Sequence, residues 1–162
     1  MSNVKEKNMG IKGKLEYTLF DENGHIKQQG ICMNTITELH DALVADRLAG
    51  GSDALFTHGH AGTGTGQTSA STNLATHFNE ARTAVTSSVQ GSGAADNDVV
   101  VTFTLGAGVC TGTVDELGIF SSSNQATGDM KAYSDNSGAG YGIPKAAGDS
   151  LVVTWTFTYG AS

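Results

Sequence analysis

The sequence predicts a mainly β protein, an antiparallel β-sandwich or barrel-like sheet with one helix packed on it. Three observations carry that prediction. The first is SLVVTWTFTYG, from Ser150 to Gly160, where Leu151, Val153, Trp155, Phe157 and Tyr159 alternate with Ser150, Thr154, Thr156 and Thr158. Only Val152 breaks the polar side, and a period of two rich in β-branched and aromatic residues marks a half-buried strand. The second is DVVVTFTL, from Asp98 to Leu105, in which Val99, Val101, Phe103 and Leu105 alternate with Val100, Thr102 and Thr104. The shared rhythm predicts that the two strands pair in one sheet with a core face and a threonine-rich face. The third is composition: 22 glycines in 162 residues with only 15% charged residues, against an ordinary glycine share of about 7%. Frequent turns and sparse charge suit a β fold rather than a helical bundle.

Taken in order, residues 1–13 read as a polar N-terminal arm, in which Val4, Lys5, Lys7, Met9, Ile11 and Lys12 are the candidate contact residues. Residues 14–162 read as a single β-rich domain, long enough to bury a core without metal or disulfide. Lys14–Phe20 is a strand with Leu15, Tyr17 and Leu19 on one face. Asp21-Glu22-Asn23-Gly24 is a turn, because Asn-Gly supplies the positive φ of a hairpin, and His25–Met33 returns. A helix is predicted over 35–49. Thr35 and Glu38 have the spacing of a capping box; Ile36, Leu39, Leu43 and Leu48 recur at helical intervals; Gly50 and Gly51 end it.

Beyond the helix, Asp53–His58 reads as a short strand and Gly59–Thr72, with its GTGTG, as a long loop. Asn73–Arg82 reads as one or two helical turns and Thr83–Val89 as a strand leading, through a glycine-rich turn, into Asp98–Leu105. Val109–Phe120 and Met130–Tyr133 are further strands, Asp135–Gly142 is a second Gly/Ser loop, and Pro144 leads into the last strand. No repeat or linker divides the chain. Seven or eight short strands with frequent turns are the pattern of a sandwich or barrel.

A net charge of −7 argues against nucleic acid as the main partner, since phosphate binding needs clustered Lys and Arg. No apolar run approaches the ~20 residues of a membrane span and no signal-peptide core follows the first lysines, so no membrane partner is expected and synthesis in a cytoplasm is. Cys32 and Cys110 lie far apart, each in an apolar stretch. Buried free thiols are the expectation, with a Cys32–Cys110 disulfide as the alternative.

The stretch GHAGTGTGQTS lacks the Lys-Ser/Thr and the strand-to-helix setting of a phosphate loop, and reads as a tightly turned loop. His58 and His60, two apart on a strand, share a face and could reach one metal, with His77 or an acidic residue as a third ligand. No closed ligand set is present, and no metal or cofactor is expected. Asp115-Glu116 and Asp21-Glu22 are adjacent carboxylates, which a strand points to opposite faces; no G-x-S-x-G nucleophile motif occurs. No catalytic residue is assigned. Arg82 and Glu116 are expected to form a buried or half-buried ion pair that fixes strand register.

Together the DENG hairpin, MNTITELHDALVADRLAG, GTGTG, NLATHFNEAR, VVVTFTL, TVDELGIF and KAAGDSLVVTWTFTY, in this order from about Lys14 to Tyr159, resemble a family of tailed-bacteriophage virion structural proteins. Its members are capsid decoration, head-fibre or tail accessory proteins. The family pattern has a small-residue Leu-x-x-Glu-x-x-Arg element, which appears irregularly here through Leu74, Glu80 and Arg82. It also has a Thr-x-Glu-x-Gly-[Ile/Leu] element, here Thr113, Glu116, Gly118 and Ile119. The resemblance implies no enzymatic activity. It implies a decoration or cement protein bound to the major capsid protein or other virion proteins. A tail or fibre accessory protein with a host-surface or glycan-binding role, contacting through the Gly-rich loops and Tyr141, is the alternative. Open strand edges and closed symmetry predict a homo-oligomer; the resemblance turns that expectation from a two-fold to a three-fold assembly, with the arm laid over a neighbour or the shell.

Overall fold

Among the described residues, twelve strands and one α-helix make two five-stranded antiparallel sheets packed face to face, with a small two-stranded ribbon beside them. The structure is a computed structural model and describes residues 10–135 and 142–161. The strands are β1 (Gly10–Phe20), β2 (Ile26–Met33), β3 (Thr35–Ile36), β4 (His58–Gly62), β5 (Thr83–Ala84) and β6 (Ser87–Gln90). Then follow β7 (Asp98–Leu105), β8 (Gly112–Val114), β9 (Glu116–Phe120), β10 (Met130–Asp135), β11 (Ile143–Lys145) and β12 (Ser150–Ala161); the helix α1 is Glu38–Leu48. The first sheet has the order β2-β1-β12-β7-β6, the second β3-β10-β9-β4-β5, and β8 pairs with β11.

The first sheet follows the alternation of its sequence. β12 lies between β1 and β7, with Trp155 opposite both Leu15 and Val101. Leu151, Val153, Trp155 and Phe157 are fully buried beside Leu15, Leu19, Val101, Phe103 and Leu105. They face Ala61, Leu117, Ile119 and Ala132 of the second sheet. At Gly59 on β4 the Phe103 ring fills the space a Cβ would need, so the sheets touch there through glycine. The opposite residues of β12, Val152, Thr154, Thr156 and Thr158, are half-exposed. Gly24 closes the β1–β2 hairpin with φ +83°, where a side chain would be strained.

Several element boundaries differ from expectation, each for a tertiary reason. β1 begins at Gly10 instead of Lys14, because β12 runs on to Ala161 and pairs with it. Ile11 and Lys12 are therefore strand residues, not arm; Val4, Lys5, Lys7 and Met9 lie outside the described residues. The helix starts at Glu38, not Thr35: Thr35 and Ile36 pair with Tyr133 and Ala132 of β10. The capping box does not form. Thr37 is the N-cap, but its Oγ1 donates to the Met130 carbonyl at 2.6 Å, and the Glu38 N–H finds Ser69 O at 2.9 Å. Of the expected stripe Leu43 is buried, whereas Leu48 is 85% exposed.

The strand expected over 53–58 is displaced to β4. The stretch 83–89 divides between sheets: β5 pairs with β4, and β6 pairs with β7. The chain crosses between them where Val85 N–H bonds Thr57 O and Thr86 N–H bonds Thr102 O, both at 2.8 Å. The stretch 109–120 is two strands, β8 and β9. Between them Asp115 N–H leaves the ladder to bond Gly62 O at 2.9 Å. Residues 73–82 contain no helix. Among the described residues no helix is long and apolar enough to cross a membrane.

Candidate functional site

β9 is the middle strand of the second sheet, and all five of its residues are buried. Leu117 and Ile119 enter the core between the sheets. Glu116 and Phe120 lie on the other face, which no further sheet covers among the described residues. That face is covered instead by residues 63–82 and 121–129, and three buried charges, Glu116, Asp135 and Arg82, hold them down.

Glu116 is fully buried. Its Oε1 accepts from Gly64 N at 3.0 Å and Thr76 N at 2.7 Å. Its Oε2 accepts from Ala75 N at 2.9 Å and Gln67 Nε2 at 3.1 Å. Four donors on one carboxylate satisfy its acceptor capacity. Beside it, Asp135 Oδ2 accepts from Gly66 N at 2.9 Å and Gln67 N at 3.2 Å. The GTGTG stretch is explained by this site. A Cβ on Gly62 or Gly64 would collide with Glu116 and with residues 75 and 76, and Gly66 has φ +84°. Residues 73–82 are not helical: the Phe78 N–H, which a helix would return to Leu74 O, goes to β4 instead, while Ala75 and Thr76 give their N–H groups to Glu116. Thr63 N–H and Phe78 N–H add bonds to Thr76 O at 2.8 Å and Ala61 O at 3.1 Å.

Arg82 does not meet Glu116. Its Nη1 donates to Asp129 Oδ1 at 2.6 Å and Ser122 O at 2.9 Å; its Nη2 donates to Thr127 O at 3.1 Å and Asn73 Oδ1 at 3.2 Å. The guanidinium lies 3.6 Å from the Phe120 ring centroid, a cation–π contact. The expected Arg82–Glu116 pair is thus replaced by two separate clamps, because each charge is enclosed by a different loop. Arg82 binds the 121–129 segment to the 73–82 strap, and Glu116 binds the strap to the glycine loop. Asn73 joins them: its Oδ1 accepts from Arg82 and Leu74 N, and its Nδ2 donates to Gln125 O.

The histidines are also redistributed. His58 is half-buried and turns to Thr57 Oγ1 at 2.8 Å. His60 is buried, with its Nδ1 3.7 Å from Cys110 Sγ and its Nε2 2.9 Å from Gln125 Nε2. Its ring stands 6.0 Å from that of His77. No group of three or more His, Cys, Asp or Glu among the described residues is arranged to hold a metal. Cys110, at φ +51°, and His60 resemble a nucleophile and base only in adjacency. Burial pushes the thiol up to about 11 and, as the main cause, lowers the imidazole. Both groups are driven neutral, whereas an activated pair needs thiolate. Cys32 and Cys110 are free and buried. Tyr141 lies outside the described residues.

Two buried polar groups had no sequence signal. His40 is fully buried on α1 against Phe56 and Phe157, with its Nε2 2.9 Å from Tyr159 Oη. Desolvation lowers its pKa to about 4. Lys145 is 1% exposed and donates to Gly106 O at 2.8 Å; burial lowers its pKa. Comparison with known proteins returned no matching family model, curated protein or solved structure.

Proposed function

We propose that this chain is a structural protein of a tailed-bacteriophage virion, a decoration protein that binds the major capsid protein and stabilises the head shell. One observation carries the reading: Arg82 and Glu116, one charged residue from each motif element, are spent mainly on loop backbone. Their ligands are loop N–H and C=O groups, the side-chain amides of Gln67 and Asn73 and an internal aspartate, so the motif serves shape. A stapled sheet face is what a protein needs if its task is to present a fixed surface to a lattice.

Strand edges support self-association. β2 and β6 are the outer strands of the first sheet, and Ile26, Ile31 and Val89 on them are more than half exposed. Edges of this kind invite pairing with another chain, and the proposed state is a homotrimer seated at a three-fold position of the shell. The test is light-scattering mass of the purified protein, followed by mixing with undecorated particles and imaging of labelled protein. Trimers bound over the head are expected. A monomer that never binds particles overturns the reading, and label confined to tail tips replaces it with a host-binding tail protein.

A further inference from the structure

The two sheets end differently. The edges of the second are β3 and β5, two residues each, too short to template another strand. Those of the first are β2, eight residues, and β6, four. Each pairs on one side only, so half of its backbone N–H and C=O groups point away from the sheet. Among the described residues no further strand joins either edge. Natural edges are guarded by charge, proline or bulges. β6 reads SSVQ, pairs without a register shift and has none of these. In β2 the register shift lies at the Ile26 end, and the one charged residue, Lys27, donates to Asp149 Oδ2 at 2.6 Å. Residues 28–33 are left regular and uncharged.

Direction decides how such edges meet. Every neighbouring pair in the first sheet is antiparallel and its strands are odd in number, so β2 and β6 run the same way. A three-fold rotation turns no direction through more than a third of a circle. It cannot reverse a strand, and it joins edges only where they run alike. Antiparallel pairing of β2 with β2, or of β6 with β6, requires a two-fold axis instead. The exposed side chains fit the joined edge. Ile31 lies opposite Glu16, Glu16 opposite Thr154, and Thr154 opposite Thr102. Val89 lies opposite Val100, two residues from Thr102. Ile31 and Val89 therefore stand on the same threonine-rich face.

We propose that β6 of one copy pairs in parallel with β2 of the next, so that three first sheets close into one ring with Val89 of each copy beside Ile31 of its neighbour. The inference rests on the three-fold reading above and adds which strands meet and in which direction. Parallel pairing is slightly weaker per residue than antiparallel, but closure removes both open edges of every copy at once.

Thiol cross-linking of the full chain tests it. Cys32 and Cys110 are buried, so the wild type is the blank. Ile31→Cys and Val89→Cys each change a side chain that is more than half exposed, which leaves the core intact. Gln29→Cys in place of Ile31→Cys covers the register two residues away. Treated with a short bifunctional thiol reagent, a double variant with one cysteine on each edge should yield covalent dimers and trimers and nothing larger. None of the single variants should cross-link. A covalent dimer from any single variant overturns the proposal, because like edges then meet across a two-fold axis. Light-scattering mass separates the inference from the reading beneath it. A trimer in which neither double variant cross-links sinks the inference alone; a monomer at every concentration sinks the three-fold reading with it. Ile31→Lys and Val89→Lys provide a check without any reagent. Each places a charge on one edge and should shift the mass from three copies to one, and a trimer retained in both lysine variants also overturns the proposal.

Discussion

On the first sheet, alternate residues of β12 are fully buried and half-exposed; on the second, every residue of β9 and of β10 is buried. The inner faces are closed alike, by apolar side chains interdigitating between sheets. The outer faces are not. The first sheet leaves Thr154, Thr156 and Thr158 partly open. The second is roofed by chain of little regular structure whose backbone donors and acceptors have no ladder to enter. Buried backbone groups must be paired, and Glu116, Asp135 and Arg82 supply the partners. A sheet face can thus be closed by charge and loop where a third layer of secondary structure is absent, at the cost of desolvating ionisable groups.

If that account holds, removing a clamp should cost as much as removing the largest core side chain. Trp155→Ala should lose about 3–5 kcal/mol of stability from the lost burial and its cavity. Arg82→Ala should lose about 3–5 kcal/mol because Asp129 is left buried without its cation. Urea unfolding of both variants measures this. A loss below about 1 kcal/mol for Arg82→Ala, with Trp155→Ala still severe, would break the equivalence of roof and core.

The helix that bridges the two sheets adds a pH dependence. His40 has a folded pKa of about 4 against 6.5 for the free side chain, desolvation being the main cause. Between those values the unfolded chain takes up a proton that the folded protein refuses, so stability falls as pH drops from 6.5 towards 4. The contribution is full above 6.5 and exhausted below 4, and amounts to roughly 3 kcal/mol for the single group. His40→Phe should flatten the stability–pH curve across this window. An unchanged slope in the variant would show that α1 opens locally before the ring is protonated.

Glu116→Gln sharpens the comparison further. The amide keeps the shape but turns one acceptor oxygen into a donor facing two of the four donors. A loss of about 1–3 kcal/mol is expected for the unsatisfied groups. Amide exchange at Gly64, Ala75 and Thr76 should quicken while Val101 and Trp155 stay protected. Uniform quickening across both sheets would mean that the roof and the core open as one unit.

These contrasts also explain what the sequence made legible. The first sheet was readable because β1, β7 and β12 are eight to twelve residues long and have one polar face, so their period shows. β9 and β10 are buried on both faces and have no alternation to read; β3 and β5 are two residues each. The crossing at Val85–Thr86 lies inside what looks like one strand. Arg82 and Glu116 are both buried, but sequence offers opposite charges as partners by default. Nothing in NLATHFNEAR says that its own N–H groups will bind the carboxylate. The helix expected there failed for the same reason: a tertiary acceptor outcompeted the i−4 carbonyl.

The smallest expected effects lie on the open face, and they decide whether it is open. Thr154 stands opposite Thr102, with hydroxyls 3.3 Å apart, and Thr156 stands between Lys14 and Val100. Cross-strand pairs of this kind contribute about 0.2–1 kcal/mol, so Thr154→Ala should cost under about 1 kcal/mol. Thr156→Ala, with no hydroxyl partner to lose on the strands beside it, should cost less, within about 0.5 kcal/mol. Both apply to the dilute protein. If neighbouring copies cover this face in an assembly, the same substitutions acquire a second cost, since the threonines then pack against another chain. Melting of wild type and Thr156→Ala at low and high protein concentration separates the two states. A deficit that stays small at both assigns assembly to the edge strands β2 and β6, whose Ile31 and Val89 remain the apolar contacts. A deficit that grows with concentration makes the threonine face itself the interface, and the first sheet is then covered on both sides like the second, by a partner instead of a loop.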